Sequence, residues 1–334
     1  MRYALCAMRL ALCATRNPQL VTRNMADPKT SNTAAQVDRT ARFRTADGVG
    51  IRYGVWTSPL ERVRGSVVVL NGRTEYLEKY TETIGDLNRR GFSVYSFDWR
   101  GQGLSDRMLP DRLKGYVQNY EGYLLDLEDF FDQIVRPNVA GPVILLAHSM
   151  GGHIALRFLH DHPTAVSRAV LTAPLIDIIP SPYPKWIVII LTRLAVKTGF
   201  THAYVLGAKY RNPFDQAFQG NPLTSDPCRF GFDKQAITDS PDLALGEPTF
   251  GWVAATLDSI ALLKQPGYAE GIKTPVMVVS AGKDRIVCCA AQKRICLRMP
   301  DCRLKVLDES LHEILMEADP IREQFWRLFD RFVD

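Results

Sequence analysis

From residue 41 onward the apolar and polar positions follow two alternating rhythms. Residues 66–70 form a short apolar run without in–out alternation, which predicts a strand buried on both faces. Further strands are predicted at 92–97, 143–147, 169–172, 275–280 and 303–307. Between them, helical spacing predicts helices at 76–90, 120–135, 150–160, 289–297 and 320–333. The spacing is clearest in 120–135, where Tyr123, Leu124, Leu127, Phe130, Phe131 and Ile134 recur on one face and Pro137 stops the helix. Near the start, 42–44 and 51–56 flank the turn residues Ala46, Asp47 and Gly48 and predict a hairpin.

Strands that alternate with helices imply a mainly parallel sheet with helices on both faces. The alternation pauses between about residues 175 and 250, where prolines and aromatics are dense. The expected organisation is therefore a leader and disordered N-terminus at 1–40, one α/β core from 41–174 and 256–334, and a helical cap inserted at 175–255. No internal repeat is visible, and no apolar run reaches the roughly 18 residues of a membrane span.

Composition narrows the function classes. Hydrophobic residues make up 46% of the 334 residues and charged ones 23%, enough for a sizeable core. The net charge of +5 is local: four arginines (Arg2, Arg9, Arg16, Arg23) lie in the acid-free first 26 residues. The remaining 37 basic residues face 36 acidic ones, so the body offers no basic nucleic-acid surface. Pro18 breaks the helix those arginines would share, and Met25 precedes an ordinary polar stretch, so Met25 is the expected start. The cysteines number seven, with no CxxC pair. They are expected to be free, mostly buried thiols in a reducing compartment.

The chemistry centres on Ala147, His148, Ser149, Met150, Gly151 and Gly152. A strand runs straight into a helix with one serine at the junction, the context of a nucleophile elbow. Small residues surround that serine, as a tight turn requires. The helix start supplies N–H groups where an oxyanion develops. Such an elbow is followed in the chain by an acid and then a histidine. His312, in a polar loop after the last strand, is the expected general base. Two acids end earlier strands, Asp284 and Asp177, and the Gly-x-Asp turn of Gly282 to Asp284 favours Asp284. His148 is expected to pack beside the site, and His160 and His162 to sit at the surface or a helix end.

With these residues the chain resembles the α/β-hydrolase superfamily, and within it the bacterial lysophospholipase and monoacylglycerol lipase branch, over roughly residues 40–333. The landmarks are Asn71-Gly72-Arg73-Thr74-Glu75-Tyr76, Asp98-Trp99-Arg100-Gly101-Gln102-Gly103, the elbow, and Leu311-His312-Glu313-Ile314-Leu315. Two positions depart from the usual pattern: Ala147 replaces the first elbow glycine, and Asn71 replaces a histidine. The resemblance implies acyl transfer to water, with Ser149 as nucleophile, His312 as base, Asp284 as its orienter, and the Met150 and Arg73 N–H groups as oxyanion donors. It implies no metal or organic cofactor. The Arg73 side chain either meets a substrate phosphate or pairs with Glu75 or another acid.

The aromatic cap points to a lipid-like ester in an apolar tunnel, a lysophospholipid or a monoacylglycerol first. A small-ester carboxylesterase and a proline-type aminopeptidase follow, and a non-catalytic binding protein stands outside the enzymes. Residues 184–194 are apolar with a few basic residues, which suits an interfacial helix. A cytoplasmic protein peripheral to the inner membrane is expected, with no obligate protein partner.

Overall fold

In the computed structural model, which describes residues 38–139, 141–180, 183–206 and 216–334, eight strands form one sheet. They are β1 (Arg39–Arg44), β2 (Gly50–Trp56), β3 (Gly65–Leu70), β4 (Phe92–Phe97), β5 (Val143–His148), β6 (Arg168–Thr172), β7 (Val276–Ala281) and β8 (Cys302–Leu307). The order across the sheet is β1-β2-β4-β3-β5-β6-β7-β8. The hairpin β1–β2 pairs antiparallel and joins β4 antiparallel; every pair from β4 to β8 is parallel. This is the mainly parallel α/β-hydrolase sheet.

Burial explains the pattern of the strands. Every residue of β3, β4 and β7 is buried, because helices cover both faces there. The edge strands β1 and β8 are mostly exposed or half-buried, with one buried residue each, Phe43 and Leu307. The helices of the core are α1 (Thr81–Arg89), α2 (Glu121–Phe130) and α3 (Met150–Asp161), with α7 (Cys289–Cys296) and α8 (Asp319–Val333) after the cap. Between them the cap contributes α4 (Lys185–Lys197), α5 (Pro227–Asp239) and α6 (Phe250–Leu263).

Three local differences from the sequence expectation have physical causes. The helix expected at 76–90 begins as a 3-10 turn, Leu77–Tyr80, whose first N–H is fixed by the Asp98 carboxylate at 2.9 Å, and only then becomes α1. The helix at 120–135 ends in a wider π turn, Phe131–Val135, where Arg136 N–H donates to Phe131 O at 2.8 Å. The boundary drawn at 255 falls inside α6. That helix starts on a Thr249 cap and is buried at nearly every position, so it shows no polar face for a sequence pattern to reveal.

The thiol expectation is corrected. Cys296 at the end of α7 and Cys302 at the start of β8 form a disulfide, since the tight turn between them brings their Cα atoms to 5.3 Å. Cys228, Cys288 and Cys289 are in no disulfide among the described residues and are only half-buried. Met25 and the four leader arginines lie outside the described residues, as do Tyr210 and Phe214 of the cap.

Candidate active site

The parallel strands all deliver their C-terminal ends to one edge, where loops converge. Asn71 to Arg73 follow β3, Ser149 follows β5, Asp177 follows β6, Asp284 follows β7 and His312 follows β8.

Ser149 has φ 49° and ψ −113°, a conformation disfavoured for any residue with a Cβ. Its surroundings hold it there. Ser149 N–H donates to Thr172 O at 3.0 Å, and Ser149 O accepts from Leu175 N–H at 2.9 Å and from His153 N–H at 3.1 Å. The glycines that follow are required by close approach. A Cβ on Gly151 would lie 2.5 Å from Leu70 O and 2.6 Å from Asn71 O, and one on Gly152 would lie 2.8 Å from the Pro174 ring. The fully buried Ala147 leaves the elbow intact, so its departure from glycine is accommodated.

His312 stands between the serine and one acid. Its Nε2 lies 3.0 Å from Ser149 Oγ and its Nδ1 2.7 Å from Asp284 Oδ2. Both His312 and Ser149 are buried. The other Asp284 oxygen accepts from Ile286 N–H at 2.8 Å and Val287 N–H at 3.0 Å. Burial raises the Asp284 carboxyl, but the hydrogen bond and charge of His312 and these two N–H groups outweigh it and hold it below its ordinary value. Asp177 is not brought to the histidine. It pairs with Lys185 and, at 2.6 Å, with Lys264, tying the cap to the core.

The loop after β3 faces the serine. Gly72 N–H donates to the Glu75 carboxylate, and Gln102 braces the loop through Thr74 N–H at 2.9 Å and Gly72 O at 3.2 Å. This gives the Gly101-Gln102-Gly103 segment its role. The Asn71 side chain turns inward instead: its Nδ2 donates to Phe97 O at 3.1 Å and its Oδ1 accepts from Ser96 Oγ at 3.3 Å, while its backbone carbonyl accepts from Trp99 Nε1 at 2.9 Å. The N–H groups of Arg73 and Met150 donate to no protein acceptor among the described residues.

Sequence reasoning missed a buried ionic cluster behind these groups. Lys79 Nζ lies 2.6 Å from Glu313 and 3.2 Å from Glu75, and Tyr80 OH donates to Glu75 at 2.6 Å. Burial pushes the Glu313 carboxyl up. The Glu75 carboxyl is held down by Lys79, His148, Tyr80 and Gly72 N–H against its own desolvation. The signal for the cluster was present as charges inside apolar strings, at Lys79 and Glu313. His148 belongs with it. Its ring sits 4.8 Å from that of His312, its Nδ1 lies 3.1 Å from Thr172 O, and burial lowers its pKa to about 4, so it is neutral at pH 7. His160 stacks on Tyr268 and His162 ends α3.

Ser149 and His312 open into a cavity of about 490 Å³ roofed by the cap. Its walls are mainly apolar, including Ile179, Val188, Leu191, Leu206 and Trp252, with Arg73 and Glu247 among the polar groups. Of the cap aromatics, Tyr183, Phe250 and Trp252 line it. Trp186 (64% exposed) and Phe200 (62%) point to solvent. Among the described residues no group of His, Cys, Asp and Glu is placed to hold a metal ion, and no helix is long and apolar enough to cross a membrane.

Comparison with known proteins gives the same frame. The family described as serine aminopeptidase, S33, matches residues 61–319. Lysophospholipase L2 of Escherichia coli is 32% identical over 84% of this chain and 83% of its own. The probable lysophospholipase L2 of Haemophilus influenzae is 28% identical over 86% of this chain and 89% of its own. In fold, a soluble variant of the Saccharomyces cerevisiae monoglyceride lipase, solved with a substrate analog, superposes with a TM-score of 0.71, covering 93% of this chain and 98% of that one at 22% identity.

Proposed function

The chain belongs to the serine aminopeptidase S33 family of α/β hydrolases, and from that premise we propose a lysophospholipase that works through an acyl-enzyme on Ser149. It is an enzyme that hydrolyses lipid esters. The observation that carries the mechanism is the position of His312, within hydrogen-bond reach of both Ser149 Oγ and Asp284.

In the proposed reaction, Ser149 Oγ attacks the ester carbonyl carbon while His312 Nε2 takes the hydroxyl proton. Asp284 keeps the proton of His312 on Nδ1 and stabilises the imidazolium. The free N–H groups of Arg73 and Met150 receive the oxyanion. The tetrahedral species collapses, the C–O bond to the alcohol breaks, and His312 returns its proton to the leaving oxygen. Water then gives its proton to His312 and attacks the acyl ester. A second collapse releases the fatty acid and restores Ser149.

The apolar cavity supports a long acyl chain, and residues 175–255 are proposed as the cap that encloses it. The outer face of α4 supports contact with a lipid surface: Trp186, Ile190 and Leu194 are exposed beside Lys185, Arg193 and Lys197. A disulfide persists in oxidising compartments. The Cys296–Cys302 bond therefore weighs against the cytoplasmic location that free thiols suggested.

The test is a fluorophosphonate probe followed by a substrate panel of matched acyl length. The expected result is a single adduct on Ser149 and turnover of lysophospholipid above monoacylglycerol, short p-nitrophenyl ester and aminoacyl amide. A folded protein that takes no label at Ser149 would sink the mechanism, and a preference for amides would move the assignment to a peptidase.

A further inference from the structure

We propose that the Arg73 side chain forms a subsite for the phosphate of the substrate's head group. The inference deepens the lysophospholipid reading above and rests on it. Arg73 lines the same cavity as Ser149 and His312. Its backbone N–H is the proposed oxyanion donor, so the side chain starts at the reacting carbonyl. An arginine side chain and a glycerol backbone are of comparable length, so a phosphate on the far glycerol carbon falls within its range.

The guanidinium is held but not neutralised. Nη2 donates to Gly246 O at 2.6 Å, and the guanidinium carbon lies 5.1 Å from the centre of the Trp252 ring. Gly115 leaves the room it occupies, since a Cβ there would lie 2.5 Å from Nη2. Nε is buried without a hydrogen-bond partner. Glu247 is the acid whose charge most favours the cation, yet no carboxylate among the described residues approaches to ion-pair distance.

The contrast with other buried or half-buried arginines is specific. Arg52 pairs with Asp98 at 3.0 Å, Arg100 with Asp126 at 2.8 Å, Arg157 with Glu121 at 2.8 Å and Arg229 with Glu82 at 2.7 Å. Arg322 pairs with Asp86. Arg107 also lacks a carboxylate, but it donates to the carbonyls of Gly101, Asp242 and Ala244 and does not line the cavity. Arg73 alone of these combines a charge without a carboxylate partner among the described residues and a place on the substrate cavity. A guanidinium stays protonated under these conditions and costs stability when buried unpaired. A phosphate supplies the missing acceptors in the paired geometry that guanidinium favours.

The experiment compares the full-length protein with Arg73→Met and Arg73→Lys on two substrates of one acyl chain, 1-oleoyl lysophosphatidylethanolamine and 1-oleoylglycerol, in neutral detergent micelles. The reading is the ratio of kcat/KM for the two. Loss of a charge-assisted contact lowers that ratio by about 10- to 100-fold in Arg73→Met, chiefly through KM for the phospholipid, with Arg73→Lys in between. A ratio within twofold of wild type in Arg73→Met overturns the subsite, because a merely structural arginine would slow both substrates together. If Arg73→Met does not fold, as shown by absent fluorophosphonate labelling, the wild type decides. There, sn-glycerol 3-phosphate is expected to slow labelling of Ser149 where glycerol does not, and equal rates overturn the proposal. A wild type that cleaves neither substrate defeats the lipid-hydrolase reading itself, a separate outcome.

Discussion

The Lys79 ammonium lies 2.6 Å from the Glu313 carboxylate, and this buried pair joins the segment after the oxyanion loop to the residue beside His312. Through Glu75, the same lysine reaches the carboxylate that receives Gly72 N–H. Two halves of the site that lie far apart in the chain are therefore fixed to each other by charge. Lys79→Met leaves two acids buried without their cation. It is expected to lower unfolding free energy by about 3–5 kcal/mol, read as the shift in urea midpoint. A loss below about 1 kcal/mol would show that the cluster is hydrated rather than dry.

Asp284 and Asp177 separate cleanly by substitution. Asp284→Asn keeps the fold but leaves His312 without its orienting carboxylate, and kcat is expected to fall by about 10⁴-fold. Asp177→Asn removes only the ties to Lys185 and Lys264, so kcat should stay within a few-fold of wild type. The two rate constants, with circular dichroism to verify folding, decide between the acids.

Gly151 has no room for a side chain. In Gly151→Ala the new methyl meets the backbone carbonyls of Leu70 and Asn71, which must shift together with the elbow. Since a displacement of about 1 Å at a reacting group costs on the order of 100-fold, kcat should drop at least that far. Unchanged turnover would mean that the β3 and β5 loops do not touch as described.

The neutral His148 makes stability depend on pH. Its folded pKa, depressed by burial to about 4, lies below the ordinary histidine value of 6.5. A depressed group contributes stability above the unfolded pKa and loses it as pH falls toward the folded one. Burial, joined by the charges of His312 and Lys79, outweighs Glu75 and Asp284, which favour its protonated form. Between pH 6 and 5 the unfolding free energy should fall by up to about 1.4 kcal/mol per pH unit from this group. His148→Gln should remove that slope in urea titrations at the two pH values; an unaltered slope assigns it to other groups.

Much of the site was readable because its signals are local. The elbow is six consecutive residues, and Ser149, Asp284 and His312 each follow a strand whose apolar run is plain in the sequence. The chain order of the three was equally plain. The rest depends on contacts that no local pattern encodes. The segment α6 is buried nearly all round, so it has no period to detect. The cluster of Glu75, Lys79 and Glu313 forms only when the last loop folds back beside the first helix. The sequence places Glu75 two residues from Arg73 but does not show that Lys79 and Tyr80 occupy its carboxylate. The Cys296–Cys302 bond is silent in the sequence because its six-residue spacing closes only when the turn after α7 brings β8 alongside.

The cap is anchored unevenly. Its α6 continues unbroken into the core packing, but α4 has a single buried residue, Thr192. It packs along α6, and two ion pairs, Lys185 with Asp177 and Arg193 with Asp258, add to that contact. Such pairs weaken as counterions accumulate. Their share in holding the roof over the cavity is therefore set by the medium, so ionic strength bears on the cap and not on the buried triad.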